Sequence, residues 1–313
     1  MKKTIALVLS LAMLVALCAC GNEEKAVTKV AALKGPTSMG MVNLIDSADE
    51  DYEFSLYGAA DEITAGLING SIDIAALPCN LAATLYNNTE GKLKVAAVNT
   101  LGVLYILETG ESITDINSLS GKTIYSTGKG TTPEFVLNYI LEKNGVENVT
   151  VEYKSESAEV AALLSGGGDV VAMLPQPYVA SVLLKNANVR IALDITQIWD
   201  ETEDADLVTG VLVARSEYIE NNGKEFEEFL KSYASSVDLA NSDIDKTAAL
   251  CVTHGIVASE EIAKSALPYC NIVCLKGSEM KNAVSLYLNV LYNASAASIG
   301  GKLPDDDFYY ISE

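Results

Sequence analysis

Histidine is almost absent from this 313-residue chain: His254 is the only one, within a C-terminal stretch of helical periodicity. General acid–base catalysis draws most often on histidine, so an enzyme reading has little to build on. Arginine is nearly as scarce. Arg190 and Arg215 are the only two, and neither falls in a loop expected to meet a ligand, which argues against a guanidinium clamp on a sulfonate or carboxylate. Lys and Arg together number 21 against 42 Asp and Glu, a formal charge of −21. A surface so acidic repels nucleic acid and anionic lipid, leaving neither as a partner. Beyond the N-terminus no run is long and apolar enough to span a bilayer. Missing glycines dispose of two nucleotide motifs. Gly121-Lys122-Thr123 ends like a P-loop, but Ile116 stands where its first glycine belongs. Gly128-x-Gly130 has Pro133 in place of the third glycine of a dinucleotide loop.

What is present begins with Lys2, Lys3 and an apolar run from Ile5 to Leu17, too short for an ordinary span and ending in Leu17-Cys18-Ala19-Cys20-Gly21. Leu17 and Ala19 before Cys20 resemble the bacterial lipoprotein signal. The resemblance implies cleavage before Cys20, a diacylated Cys20 and a membrane partner reached through that lipid. An uncleaved anchor is the plainer alternative. Residues 1–19 then form the signal and residues 20–26 a polar tether.

Hydrophobic residues make up 49% of the chain, ample for one large domain or two lobes. The stretch from Gly121 to Phe135 sets the pattern for the rest. A β-like run, Lys122 to Ser126, breaks at Gly128 and Gly130, and Thr131 stands three residues before Glu134, the spacing of a reciprocal helix cap. Pro133 fits the first turn of the helix expected there. The same strand, glycine break and hydroxyl-rich helix start occur at Val27 to Ile45, and Gly35-Pro36-Thr37-Ser38 faces Gly130-Thr131-Thr132-Pro133 at an offset of 95. Ala65 to Asp73 aligns with Ala161 to Asp169 at an offset of 96, and each copy runs through an apolar strand into Leu77-Pro78 or Leu174-Pro175. Two β-α-β-α-β units follow, hence an α/β fold of two lobes, each with a mainly parallel sheet flanked by helices.

The first crossover between lobes is expected at Glu108 to Glu111 and the return in an acidic, irregular segment from Ile195 to Asp206. This gives one lobe over 27–108 and 206–313, and a second over 109–205. The helical remainder should pack on the first lobe, and the two crossovers should serve as a hinge. Ligands of such sheets sit beyond the carboxyl ends of the strands. The candidate binding residues are therefore Thr37, Ser38 and Met39 after the first strand, Cys79 and Asn80 after Leu77-Pro78, Thr131 and Thr132 in the capped loop, and Gln176 after Leu174-Pro175. Tyr57, Tyr125 and Tyr178 near strand ends are candidates for stacking on a planar ligand, with partly buried packing as their plainer role. Without arginine, an anion would have to rely on helix starts and the hydroxyls of Thr37, Ser38, Thr131 and Thr132. The balance favours a neutral or weakly charged organic ligand, heteroaromatic or sulfonate-like.

With these loops in place the chain resembles the solute-binding proteins of bacterial ABC importers, in the NMT1/THI5-like group of nitrate, sulfonate, taurine and thiamine-pyrimidine binders. The resemblance is carried by the lipoprotein signal, Ala32 to Gly40, Gly70 to Ala75, Leu119 to Ile124 and Asp169 to Pro175. It implies a type II periplasmic-binding-protein fold that closes on a small molecule and delivers it to a permease and its ATPase, without a cofactor or metal and as a monomer. Gln176 departs from the glutamate many relatives carry after the second Leu-Pro, and the cysteine-rich motif of thiamine-pyrimidine synthases of this fold is missing. An enzyme on the same fold and a transporter-independent sensor lipoprotein remain as rivals.

Cys251, His254, Cys270 and Cys274 are the one cluster that raises metal. Extended chain from Cys270 to Cys274 would hold the two sulfurs about 13 Å apart, too far for one tetrahedral zinc. Buried thiols are the preferred reading, ahead of a disulfide from Cys251 to Cys270 or Cys274. Trp199, in the return crossover, is expected to pack over the hinge.

Overall fold

The structure, a computed structural model, describes residues 27–312. The expectations for the signal, the tether and Cys20 lie outside the described residues.

β1 (Thr28–Leu33) is nearly buried at Val30, Ala31 and Ala32, as a strand covered on both faces must be. It leads through α1 (Pro36–Met39) and α2 (Val42–Ser47) to β2 (Tyr52–Tyr57), then α3 (Ala60–Asn69), β3 (Ile74–Pro78), α4 (Cys79–Asn88) and β4 (Leu93–Thr100). β5 (Leu104–Thr109) opens a second sheet. It is followed by β6 (Thr123–Ser126), α5 (Thr132–Lys143), β7 (Thr150–Tyr153), α6 (Ser157–Ser165), β8 (Val171–Pro175), α7 (Tyr178–Lys185) and β9 (Val189–Asp194). The chain returns through α8 (Ile195–Asp200) to β10 (Gly210–Arg215). It ends with α9 (Ser216–Asn221), α10 (Gly223–Ser242), α11 (Ile244–Thr253), α12 (Glu260–Ala266), β11 (Ile272–Leu275) and α13 (Gly277–Ala294).

The strand orders are β11-β4-β10-β3-β1-β2 and β7-β6-β8-β5-β9. The parallel trio β2-β1-β3 in one sheet is matched by β7-β6-β8 in the other, as the internal repeat requires. The sheets are mixed rather than mainly parallel, because β10 and β5 arrive from the opposite lobe and lie antiparallel to β3 and β8. The first crossover also comes earlier than expected. Leu104 to Glu108 already pair with Pro175 to Val171, so the chain changes sheet at 101–103 and the boundary at 108 falls inside a strand. The return segment starts with a helix, not irregular chain, because the Asp194 carboxylate accepts from the N–H groups of Thr196 and Gln197. The two crossovers are tied together: Thr209 donates its N–H to the Thr100 carbonyl at 3.1 Å, and its hydroxyl to that of Leu101 at 2.5 Å.

One apolar core runs beneath both sheets. It joins Ala75, Leu77 and Val95 of the first to Ile106, Ile124 and Met173 of the second, through buried faces of α4, α5 and α13 and the indole of Trp199. A second core, with α2 and α10 to α12, covers the outer face of the first sheet, and a third, with α6 and α7, covers that of the second. Cys251 and Cys270 are free buried thiols, the latter with its Sγ 3.9 Å from Met39 Sδ, and Cys274 is a half-buried free thiol. No group of His, Cys, Asp and Glu suited to a metal occurs among the described residues. No helix among them is long and apolar enough to cross a membrane.

Candidate functional site

A cleft of about 360 Å³ lies between the sheets, beyond the carboxyl ends of β1, β2, β3, β6, β7 and β8. Its walls come in matched pairs. Lys34 to Thr37 after β1 faces Thr127 to Pro133 after β6, and Gly58 to Asp61 after β2 faces Lys154 to Ser157 after β7. Pro78 ends β3, Pro175 ends β8, and the crossover residues Thr100, Val103 and Thr209 form the floor.

The β6 loop turns at Gly128, whose φ of +75° belongs to the left-handed region and whose missing Cβ would stand 2.7 Å from Thr131 Oγ1. The expected reciprocal cap between Thr131 and Glu134 takes another form. Thr131 Oγ1 donates back to the Gly128 carbonyl at 2.8 Å, and the Glu134 carboxylate accepts from the N–H of Gly130 at 2.5 Å, one residue before the cap. In α1 the Ser38 hydroxyl donates to the Gly35 carbonyl at 3.1 Å, and that of Thr37 to the Leu33 carbonyl at 2.9 Å.

These bonds decide what the loops can offer. Each hydroxyl has one proton to donate. Those of Thr37, Ser38, Thr131 and Thr132 go to Leu33, Gly35, Gly128 and Asn80, all within the protein. These four hydroxyls therefore have no proton left to donate to an anion. Pro36, Pro78, Pro133 and Pro175 also line the cleft, at helix starts and strand ends where another residue would carry an N–H. Charge sits at the rim on Lys34, Lys129 and Lys154 against Asp61 and Glu156. Lys154 is partly engaged, its Nζ 3.6 Å from Glu152 and 5.3 Å from the centre of the Tyr125 ring. Arg190 and Arg215 serve elsewhere, paired with Glu108 and Asp73.

Five of the expected ligand residues line the cleft: Thr37, Thr131, Thr132, Gln176 and Tyr178. Burial and the neighbouring Glu156 carboxylate raise the pKa of the Tyr178 hydroxyl, so the ring presents a neutral face. The other six lie outside it. Ser38 is spent on its own turn, Met39 is in the core, and Tyr57 packs against the core. Cys79 is fully buried, which pushes its thiol up in pKa and keeps it protonated. Asn80 is wholly buried behind the wall, and Tyr125 packs beneath Lys154. The sequence reading missed the wall from Gly58 to Asp61 and Lys154 to Ser157. Its signal was available: Gly58 and Lys154 are separated by the same offset of 96 that relates the two units. It also missed the floor at Thr100, Val103 and Thr209.

Two sheets of repeated topology, exchanging β5 and β10 across a pair of crossovers with a cleft at their strand ends, define a two-lobed solute-binding fold. Residues 92–244 match the family described as NMT1/THI5 like. An ABC transporter structure from Parabacteroides distasonis is 26% identical with a TM-score of 0.75, covering 92% of this chain and 99% of its own. The aliphatic sulphonate binding protein SsuA from Escherichia coli is 18% identical with a TM-score of 0.70, over 89% of this chain and 92% of its own. The periplasmic nitrate-binding protein NrtA from Synechocystis PCC 6803 is 12% identical with a TM-score of 0.64, over 88% and 84%. A search of curated proteins finds no match. The chain shares the fold of these structures.

Proposed function

We propose that this protein captures a small neutral organic molecule in the cleft between its sheets outside the cytoplasmic membrane, held there by a lipid on Cys20, and hands it to a permease. The carrying observation is the cleft itself, walled by paired loops from two topologically equivalent sheets that are joined by two crossovers. Closure about those crossovers would bring the walls together on a ligand. Committed hydroxyls and four prolines favour an uncharged, partly apolar ligand, planar enough to lie against Tyr178. Lobe limits near 101–103 and 195–209 and a binding role for Thr37, Thr131, Thr132, Gln176 and Tyr178 belong to the same reading.

A thermal-shift panel of heteroaromatic vitamins, pyrimidines, aromatic amides, sulfonates and nitrate tests it, since a ligand of the folded state alone raises stability. The neutral ring compounds are expected to stabilise and nitrate to leave the melting point unchanged. Folded protein indifferent to every class would refute capture; stabilisation by the anions alone would refute the ligand class.

A further inference from the structure

Asn80 was expected to touch ligand. It lies instead behind the wall, fully buried at the start of α4, with every polar atom of its side chain engaged. Its Nδ2 donates to the Ser298 carbonyl at 3.0 Å and, longer, to the Gly130 carbonyl at 3.4 Å, while its Oδ1 accepts from Thr132 Oγ1 at 3.2 Å. Ser298 follows α13 and, like Asn80, belongs to the layer under the first sheet; Gly130 and Thr132 belong to the β6 loop of the second. One amide thus fastens the wall of one lobe to two elements of the other. The body of α5 is held the same way: Val136, Leu137 and Ile140 are buried in the core shared with α4 and α13, and Tyr139 meets the Trp199 ring at 5.4 Å.

We infer that Asn80 is a positioning residue, which holds the Gly128 to Pro133 wall in its binding geometry before any ligand arrives. A buried amide that satisfies donors and acceptors from two elements rigidifies both, since each bond lost leaves a buried group unpaired. The loop needs such a hold. Gly128 and Gly130 both have positive φ, which gives the free chain many alternatives to the conformation seen. The functional meaning of this inference rests on the cleft being the ligand site, but the test below is read without ligand. Failure of the ligand panel and failure of this inference are therefore separate results.

The test is hydrogen–deuterium exchange on the ligand-free full chain, followed through Gly130 to Phe135. In the wild type these amides should exchange slowly, as the body of α5 does. Asn80→Ala and Thr132→Val should each speed their exchange about tenfold or more, as loss of one buried hydrogen bond implies, with the strands of both sheets unchanged. Thr132→Ser keeps the hydroxyl and should restore wild-type protection. Should Asn80→Ala fail to fold, the Thr132→Val and Thr132→Ser pair carries the test. Unchanged exchange in Thr132→Val, equal exchange in Thr132→Ser and Thr132→Val, or a uniform rise across the chain would each overturn the inference.

Discussion

The indole of Trp199 and the ring of Tyr287 lie 5.6 Å apart between centroids, both fully buried, one from the return crossover and the other from α13. Trp199 also donates its Nε1 proton to the Ala205 carbonyl at 2.6 Å. The chain's only tryptophan therefore sits in the core that both sheets share, at the crossover about which the lobes are connected.

Replacing it with alanine should cost roughly 3–5 kcal/mol, the range for losing a buried large aromatic. Because the core is continuous, urea unfolding followed by circular dichroism should keep a single transition at a lower midpoint. Two separated transitions would show that the sheets have independent cores.

Glu108 makes a pH prediction. Burial alone would raise its pKa, but hydrogen bonds from the Ile113 N–H, from Ser112 and from Arg190 outweigh it and hold the carboxyl below its ordinary value of 4.5. A folded-state pKa below the unfolded one means that the ionised form stabilises the protein above the unfolded value. That stability is lost as pH falls through the lower, folded value. The melting temperature of Glu108→Gln should therefore lie below that of the wild type at neutral pH, and the gap should narrow under acid. A gap constant from pH 7 to pH 3 would remove the carboxylate from the account.

Gly210 fits against Asn99 with no room to spare, since a Cβ there would stand 2.4 Å from Asn99 Oδ1. Gly210→Ala should destabilise by about 1–3 kcal/mol, the cost of overpacking. Adding Asn99→Ala should recover most of that loss, with a coupling of more than about 0.5 kcal/mol in a double-mutant cycle. Simple additivity would place the strain elsewhere.

Thiol chemistry reports on packing. Burial pushes the Cys251 thiol up to about 12 and raises those of Cys79 and Cys270 as well, so all three are inert at neutral pH. In brief alkylation of the native protein followed by peptide mass spectrometry, Cys274 should react first of the four and Cys79, Cys251 and Cys270 only after unfolding. Rapid native labelling of Cys79 would contradict the closed packing behind the cleft.

The two-unit plan was legible because it left a literal repeat: Ala65 to Asp73 and Ala161 to Asp169 are equivalent helix-to-strand passages, and Leu77-Pro78 and Leu174-Pro175 end equivalent strands. The exchange of β5 and β10 was not, since an apolar run such as Leu104 to Leu107 reads the same in whichever sheet it pairs. The helix start at Thr131 was readable from its cap and proline. The direction of its hydroxyl was not, because the rotamer that donates to Gly128 O does not cap the helix N–H groups, and the turn at Gly128 decides between them. Asn80 shows the limit most clearly. Its place after a strand end marks the neighbourhood of the site, but only the packing of α4 against α5 turns its side chain away from the cleft.

The central claim is that the cleft takes its ligand between loops of both sheets. A crystal structure with the most stabilising compound of the thermal-shift panel tests it most directly. The account predicts that compound between Thr37 and Asp61 of the first lobe and Thr131, Thr132, Gln176 and Tyr178 of the second. A compound seated outside the cleft, or touching one sheet's loops alone, would contradict it.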